Sequence, residues 1–193
     1  STSELVTELL QYQDGRLAMD TLEATALLAG IVVDTKNFAY RAGSRTFEAA
    51  SFLRRHGADL MMVQSLLKED LSQYVKRAEI IRNAEVWDGG IAVAVGDEEE
   101  VYDQLLIAQA ADTLLNMRGV RASFVIGRRE DGLVSISARS QGEINVQLVM
   151  EALGGGGHLT NAACQLKNMS LEEAKARSTD TLTETVESGG QKQ

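Results

Sequence analysis

Apolar side chains recur with a helical period of three to four residues through the first 85 positions of the chain. Asp20 and Asp59 each stand just before such a stretch, where a short acidic side chain can accept hydrogen bonds from the first turn of a helix. The apolar stripe of residues 61–67 predicts a buried core face rather than a cofactor site. The pattern predicts five helices, within residues 3–12, 20–31, 44–57, 59–67 and 71–85.

The pattern changes around Trp87, where two glycines follow an aspartate and short β-branched runs begin. Two strand-like runs flank Asp131-Gly132, a pair of residues that favours the tight turn of a hairpin. Ser170 and Glu173 have the spacing of a capping box at the start of a last helix. The predicted elements are strands within 91–95, 122–126 and 133–138, and helices within 105–115, 146–153 and 171–186.

These changes divide the chain into a helical segment (1–69), a linker helix and hinge (70–90), a second domain (91–187) and a polar tail (188–193) that we expect to be disordered. Strands alternate with helices in the second domain. We therefore predict an α/β fold in which a helical portion precedes a smaller mixed-sheet α/β domain.

Four glycines followed by a histidine, Gly154, Gly155, Gly156, Gly157 and His158, form the most distinctive motif of the chain. A chain of glycines can adopt positive φ and bring several backbone N–H groups close to an anion. The small residues after His158 are predicted to open a helix, whose N-terminus would favour phosphate. The alternative is a flexible hinge followed by a histidine without a ligand.

A second candidate is the Arg139-Ser140 pair at the end of the second hairpin strand. The guanidinium of arginine offers a fork of donors that matches phosphate, and an adjacent hydroxyl adds another donor. Arg139 could instead be a surface residue that pairs with Glu143. Asp34, which follows an apolar run, is a third candidate. A carboxylate beside apolar residues is normally paired or metal-bound, and the alternative is a cap or turn residue.

The composition restricts the possible partners of the chain. Its 193 residues carry a formal net charge of −9, which disfavours binding to long nucleic acids and to anionic membranes. Its single cysteine cannot form an internal disulfide bond, so a reducing compartment is expected. The chain contains no apolar run long enough to span a membrane.

Residues 137–140 (SARS) and 154–163 (GGGGHLTNAA) together resemble the DHH-associated domain of the DHH phosphoesterase superfamily. Nearly the whole chain, including residues 30–38 (GIVVDTKNF), resembles the C-terminal part of the cyclic di-AMP phosphodiesterases of that superfamily. The resemblance implies that residues 1–69 are the C-terminal portion of a DHH catalytic domain. It also implies that residues 91–187 are a DHH-associated, substrate-binding domain.

The resemblance further implies a phosphodiesterase that hydrolyses cyclic di-AMP to linear pApA. Two Mn²⁺ ions in the complete catalytic domain would generate the hydroxide and clamp the phosphate. Asp34 resembles the last metal-ligand aspartate of that domain. The residues that resemble the substrate-binding set are Arg139, Ser140, Gly154, Gly155, Gly156, Gly157, His158, Thr160 and Asn161.

The other metal-binding motifs of the superfamily, including the Asp-His-His triplet, are absent from this sequence. We therefore expect a fragment that is inactive alone. The resemblance also implies that the parent protein is anchored in the membrane, with this part on its cytoplasmic side. The expected partners are cyclic di-AMP or a short oligonucleotide, and a second copy of the chain in a homodimer, without membrane contact. The alternatives are a phosphoesterase acting on oligoribonucleotides or pAp, of the nanoRNase type, and a non-catalytic nucleotide-binding module. Cys164 favours the cyclic di-AMP type, because nanoRNase-like relatives usually have glycine there.

Overall fold

The computed structural model describes residues 1–13 and 19–189, and the chain divides into two compact units, Ser1–Glu69 and Asp70–Gln193. The turn predicted at Asp14-Gly15 lies outside the described residues. Within them, no helix has the combined length and apolar character that crossing a bilayer requires. The mixed α/β class predicted from the sequence is confirmed.

The first unit is helical. Asp20 forms the predicted cap: its carboxylate accepts from the backbone N–H of Glu23, and the Glu23 carboxylate accepts from that of Asp20. Asp59 caps the fourth helix by accepting from Met61 and Met62. Side chains such as Leu28, shielded from solvent, form the core of the unit. The helices are α1 (Thr2–Gln11), α2 (Thr21–Asp34), α3 (Ser44–Arg55) and α4 (Leu60–Leu66).

The buried face predicted for residues 61–67 is wrong except at Val63. Val63 is 2% exposed, whereas Met61 and Leu66 are 73% and 59% exposed. The reason is the shortness of α4, which has seven residues and packs on α2. A helix of about two turns presents only one or two side chains to any one neighbour.

The second unit is built on one six-stranded sheet in the order β1-β2-β3-β4-β6-β5. The β2–β3 pair is parallel and the other pairs are antiparallel. The strands are β1 (Glu85–Trp87), β2 (Ile91–Val95), β3 (Ala122–Arg128), β4 (Val134–Ser140), β5 (Gly156–His158) and β6 (Asn161–Leu166). The helices are α5 (Leu71–Arg82), α6 (Gln104–Leu115), α7 (Val146–Ala152) and α8 (Leu171–Gly189).

Helices cover the two faces of this sheet unequally. On one face, α7 and α8 pack over β2, β3, β4 and β6 in a core that includes Phe124, Ile136 and Met150. On the other face, α5 and α6 pack on a smaller core around Ile107 and Val125. Helix α6 packs on β3 and β4, so β6 and β5 are less covered on the face of the sheet where α5 and α6 lie. Successive side chains of a strand alternate between these two environments.

Several predicted boundaries differ from the structure. The segment predicted as a linker helix and hinge belongs to the second unit, because α5 packs on α6 and β1 pairs with β2. The helix predicted after His158 is wrong, since Asn161–Leu166 is strand β6. Helix α8 extends to Gly189, into the range predicted as a tail, and residues 190–193 lie outside the described residues. The capping box of Ser170 and Glu173 is confirmed.

The single cysteine lies in β6 with its side chain in the larger core. Cys164 is 3% exposed, and burial raises the pKa of its thiol to about 11, an effect that the charge of Arg177 partly opposes. The reactive thiolate is therefore scarce at neutral pH.

We expect Ellman's reagent at pH 8 to label Cys164 slowly in the folded chain. In urea, the same reagent should react at once with one thiol per chain. Stoichiometric labelling of the folded chain within the mixing time would contradict the buried position of Cys164.

Candidate functional site

Four residues of successive strands lie directly opposite one another at one end of the sheet. Ser123 of β3 pairs with Arg139 of β4, Arg139 pairs with Asn161 of β6, and Asn161 pairs with His158 of β5. Directly paired residues of neighbouring strands point to the same face, with Cα atoms about 5 Å apart. Ser123, Arg139, Asn161 and His158 therefore form one row, which we call the polar row.

Two contacts show that the polar row lies on the face covered by α6. The hydroxyl of Ser123 donates to the backbone oxygen of Ala111 at 2.7 Å. The Nε atom of Arg139 lies 3.4 Å from Oδ1 of Asp112. Ala111 and Asp112 are consecutive residues of α6, so the Ser123–Arg139 half of the row lies beneath or beside this helix.

The other half of the row is open. Along β6, Asn161 and Gln165 are exposed and Ala163 is partly exposed, whereas the residues between them are buried on the opposite face. His158 is exposed on β5. The face presented by Gly156, His158, Asn161, Ala163 and Gln165 is thus a strip of small and polar residues, which we call the β5–β6 strip.

Arg139 borders this strip with its guanidinium partly fixed. Its side chain is 15% exposed, its Nη1 donates to its neighbour's backbone oxygen at 3.0 Å, and its Nε faces Asp112. A guanidinium has five N–H donors, so donors remain for a ligand. The alternative pairing with Glu143 is wrong, since Glu143 forms an ion pair with Arg121.

Ser140, the neighbour of Arg139, points to the opposite face of the sheet because side chains alternate along a strand. It is 4% exposed, and its hydroxyl donates to the backbone oxygen of Leu159 at 3.3 Å and accepts from Gly142 N at 3.2 Å. Its backbone N–H donates to the oxygen of Thr160. The structure therefore does not bring the Ser140 hydroxyl to the Arg139 guanidinium; Ser140 holds the 159–160 turn in place.

The first two glycines of the motif end α7. Gly154 has a φ of 87°, its N–H donates to the oxygen of Glu151, and the N–H of Gly155 donates to that of Met150. This is the Schellman motif that closes many helices. These two N–H groups are consequently used within the protein. They also follow a helix C-terminus, where the dipole is negative, so the predicted backbone cradle for an anion is not present there.

The remaining glycines differ in what surrounds them. A Cβ at Gly155 would collide with the Ala163 oxygen and Cys164, and one at Gly157 would collide with Ala162 and the Asn161 oxygen. These two positions let β5 lie close against β6. A Cβ at Gly156 would have no atom within 4 Å, and this position lies in register with Ala163 on the open strip. The space above Gly156 is therefore available to a ligand.

Asp34 lies in the other unit, as the last residue of α2. It is exposed, and its carboxylate accepts from the Ser1 hydroxyl at 2.6 Å. Among residues 1–13 and 19–189, no three His, Cys, Asp or Glu side chains cluster closely enough to hold a metal ion. A dinuclear centre needs several carboxylate and imidazole ligands. Asp34 and its described neighbours therefore do not fit such a centre by themselves.

The backbone after Asp34 is unusual. Lys36, Asn37 and Phe38 follow one another with φ values of 46°, 59° and 63°, in the left-handed region that non-glycine residues seldom occupy. The Thr35 hydroxyl stabilises this turn, accepting from Phe38 N at 3.0 Å and donating to the oxygen of Ile31 at 2.7 Å. Such strain concentrates near functional sites, which keeps Asp34 a candidate.

Residues 88–188 match the family model of the DHHA1 domain. The chain belongs to the DHHA1 domain family. The matched range contains β2 to β6, and with them the whole polar row and the β5–β6 strip. The DHHA1 core is thus the part of the second unit that carries the candidate site.

Two cyclic-di-AMP phosphodiesterases named GdpP are similar to nearly the whole chain. The Geobacillus thermodenitrificans protein is 60% identical over 98% of this chain, and the Bacillus subtilis protein is 56% identical over 100% of it. The chain spans 29% of the length of either relative. The crystal structure of an exopolyphosphatase-related protein from Bacteroides fragilis matches with a TM-score of 0.84 at 22% identity, over 95% of this chain and 56% of that one. This last similarity shows that the fold is shared.

One charged residue beside the candidate site could not be recognised from motifs. Asp112 is the only charged residue in α6 (QLLIAQAADTLL), and this isolation in an apolar helix is the one signal that distinguishes it. Its partner Arg139 lies 27 positions further along the chain, and only the sheet register brings the two together.

Proposed function

We propose that this chain is the substrate-binding part of a phosphodiesterase that hydrolyses cyclic di-AMP to linear pApA. The similarity over nearly its whole length to two cyclic-di-AMP phosphodiesterases supports this assignment. The DHHA1 domain would hold the dinucleotide, and the reaction would add water across one phosphodiester bond. The protein therefore acts as a hydrolase in this proposal.

The observation that carries the proposal is the polar row. Arg139 offers a charge-assisted fork for a phosphate oxygen, Asn161 an amide, and His158 an imidazole, all on one face. The small residues of the β5–β6 strip, Gly156 and Ala163, leave room for a flat base or a ribose beside them. Ser140 and Thr160 support the site from behind by fixing the turn between β5 and β6.

The role of these residues is to bind and orient the substrate. Arg139 and His158 would hold one phosphate, while the strip would exclude water from the side of the nucleotide that contacts it. The superfamily uses divalent metal ions for the bond cleavage, and we propose Mn²⁺, with Asp34 as one ligand among others from outside the described residues. On this proposal the chain alone binds the dinucleotide and does not cleave it.

Calorimetric titration of the purified 193-residue chain with cyclic di-AMP tests this assignment, with AMP as the comparison ligand. We expect saturable binding of cyclic di-AMP that is weakened in His158→Ala and unchanged in His56→Ala, the matched histidine control in the other unit. Product analysis with Mn²⁺ should show no pApA. Absence of binding would overturn the proposed substrate, and turnover by this chain would overturn its proposed role as a binding part only.

A further inference from the structure

Helix α6 borders the β5–β6 strip at both ends of β6. At one end, Asp112 contacts Arg139, which is the register partner of Asn161. At the other end, Nε2 of Gln165 donates to Oε1 of Gln104 at 3.3 Å. The two ends are about 13 Å apart along β6 and about 12 Å apart along α6, from the rise per residue of a strand and of a helix. The strip and the helix therefore form the floor and one wall of a groove, which we call the α6–strip groove.

The middle of the α6–strip groove is lined by small residues. Gln104, Ala108 and Asp112 follow one another at intervals of four, so they lie on one side of the helix. Ala108 is partly exposed and lies between the two contacts. The middle of the strip carries Ala163 and Gly156, which are register partners. The groove thus has room for a flat group between a guanidinium at one end and an amide at the other, an order that suits the phosphate and the base of one nucleotide.

The amide of Gln165 has a fixed orientation. Nη1 of Arg129 donates to Oε1 of Gln104 at 3.1 Å, while its Nη2 lies 2.9 Å from the carboxylate of Asp131. A guanidinium can only donate, so the atom of Gln104 that faces Arg129 is its oxygen. The same oxygen accepts from Gln165, which must therefore present its nitrogen to Gln104. The oxygen of Gln165 is consequently left as an acceptor for a ligand in the groove.

We infer that Gln165 is the residue that selects adenine in the α6–strip groove. Adenine carries an amino group at position 6, which can donate to Oε1 of Gln165. Guanine and hypoxanthine carry an oxygen there, so two acceptors would face each other without a hydrogen atom between them. The same pairing of a glutamine amide with adenine is common in protein–DNA complexes. This inference rests on the proposed function, because it names the base contact of the same site.

Cyclic di-IMP, the analogue of cyclic di-AMP with hypoxanthine in place of adenine, is the ligand that tests this selection. The two ligands share their phosphates and riboses, and hypoxanthine has an oxygen where adenine has its 6-amino group. We expect calorimetry on the wild-type chain to give a dissociation constant for cyclic di-IMP about tenfold above that for cyclic di-AMP. Equal affinities in the wild-type chain would overturn the inference, whether or not any variant folds.

Two substitutions of Gln165 distinguish base selection from a structural role. Gln165→Leu removes the acceptor, and we expect the two dissociation constants to come within about twofold of each other. Gln165→Arg provides donors that suit an oxygen at position 6, as arginine does with guanine, so the preference should reverse. A side chain that only supports the fold would shift both affinities together. An unchanged ratio of the two constants in these variants would therefore overturn the inference.

Gln147→Leu is the matched control. Gln147 lies on α7, which packs on the other face of the sheet, and its Nε2 donates to the carboxylate of Glu151 at 2.7 Å. We expect this variant to retain the wild-type ratio, and an equal loss of selection in it would contradict the assignment to Gln165. If cyclic di-AMP binds and the ratio does not depend on Gln165, only the base selection fails. If neither ligand binds, the proposed function fails with it.

Discussion

Gly157→Ala is expected to destabilise the second unit by about 3 kcal/mol. Gly157 has a φ of 152°, which residues with a side chain rarely adopt, and a Cβ there would collide with the backbone of Ala162. Separation of β5 from β6 would relieve the collision, at the cost of their pairing. Urea unfolding followed by the fluorescence of Trp87 measures the effect, because this single tryptophan lies in β1 of the same unit.

Gly156→Ala is the matched control, one position along the same strand. A Cβ there meets no atom within 4 Å, so we expect the free energy of unfolding to change by less than about 0.5 kcal/mol. On the proposed function, the same substitution should weaken binding of cyclic di-AMP, because the methyl group projects onto the β5–β6 strip. Equal destabilisation by both substitutions would contradict the register of β5 on β6.

Arg139→Ala is expected to weaken the binding of cyclic di-AMP by about 10- to 100-fold. A hydrogen bond between a charged donor and a phosphate contributes roughly 1.5–3 kcal/mol, and a buried partner that loses it is left unsatisfied. Arg139→Lys keeps the charge but not the planar fork, so it should recover only part of the affinity. Calorimetry on the wild-type chain and both variants gives the dissociation constants.

Arg55→Ala serves as the control for this result. Arg55 is the last residue of α3 in the first unit, so its loss removes the same charge from another place. We expect it to leave the affinity for cyclic di-AMP within about twofold of the wild-type value. If Arg139→Ala binds as tightly as the wild-type chain while its unfolding curve is unchanged, the polar row is not the phosphate site.

The sequence predicted those parts of the fold that depend on nearby residues. The caps at Asp20 and Asp59 and the hairpin turn at Asp131-Gly132 are local features, and the structure contains all of them. Strand β5 could not be predicted this way. Gly156, Gly157 and His158 have little intrinsic β propensity, and they form a strand because β6 lies beside them.

The candidate site was predicted as a set of residues but not as an arrangement. The motifs indicated Arg139, Asn161 and His158, yet which side of the sheet each occupies depends on register, and a shift of one residue would reverse it. Register also separates Ser140 from Arg139, although the two are adjacent in the sequence. The contact between Asp112 and Arg139 is equally non-local, since Asp112 belongs to helix α6, which packs on the sheet.

The two edge strands of the sheet, β1 on one side and β5 on the other, are each three residues long. A strand edge is the usual template for peptide recognition by strand addition and for edge-to-edge aggregation. Edge strands this short each offer few consecutive unpaired N–H and C=O groups to an incoming chain. The sheet can therefore bind a small molecule on one of its faces while its short edge strands disfavour polymerisation.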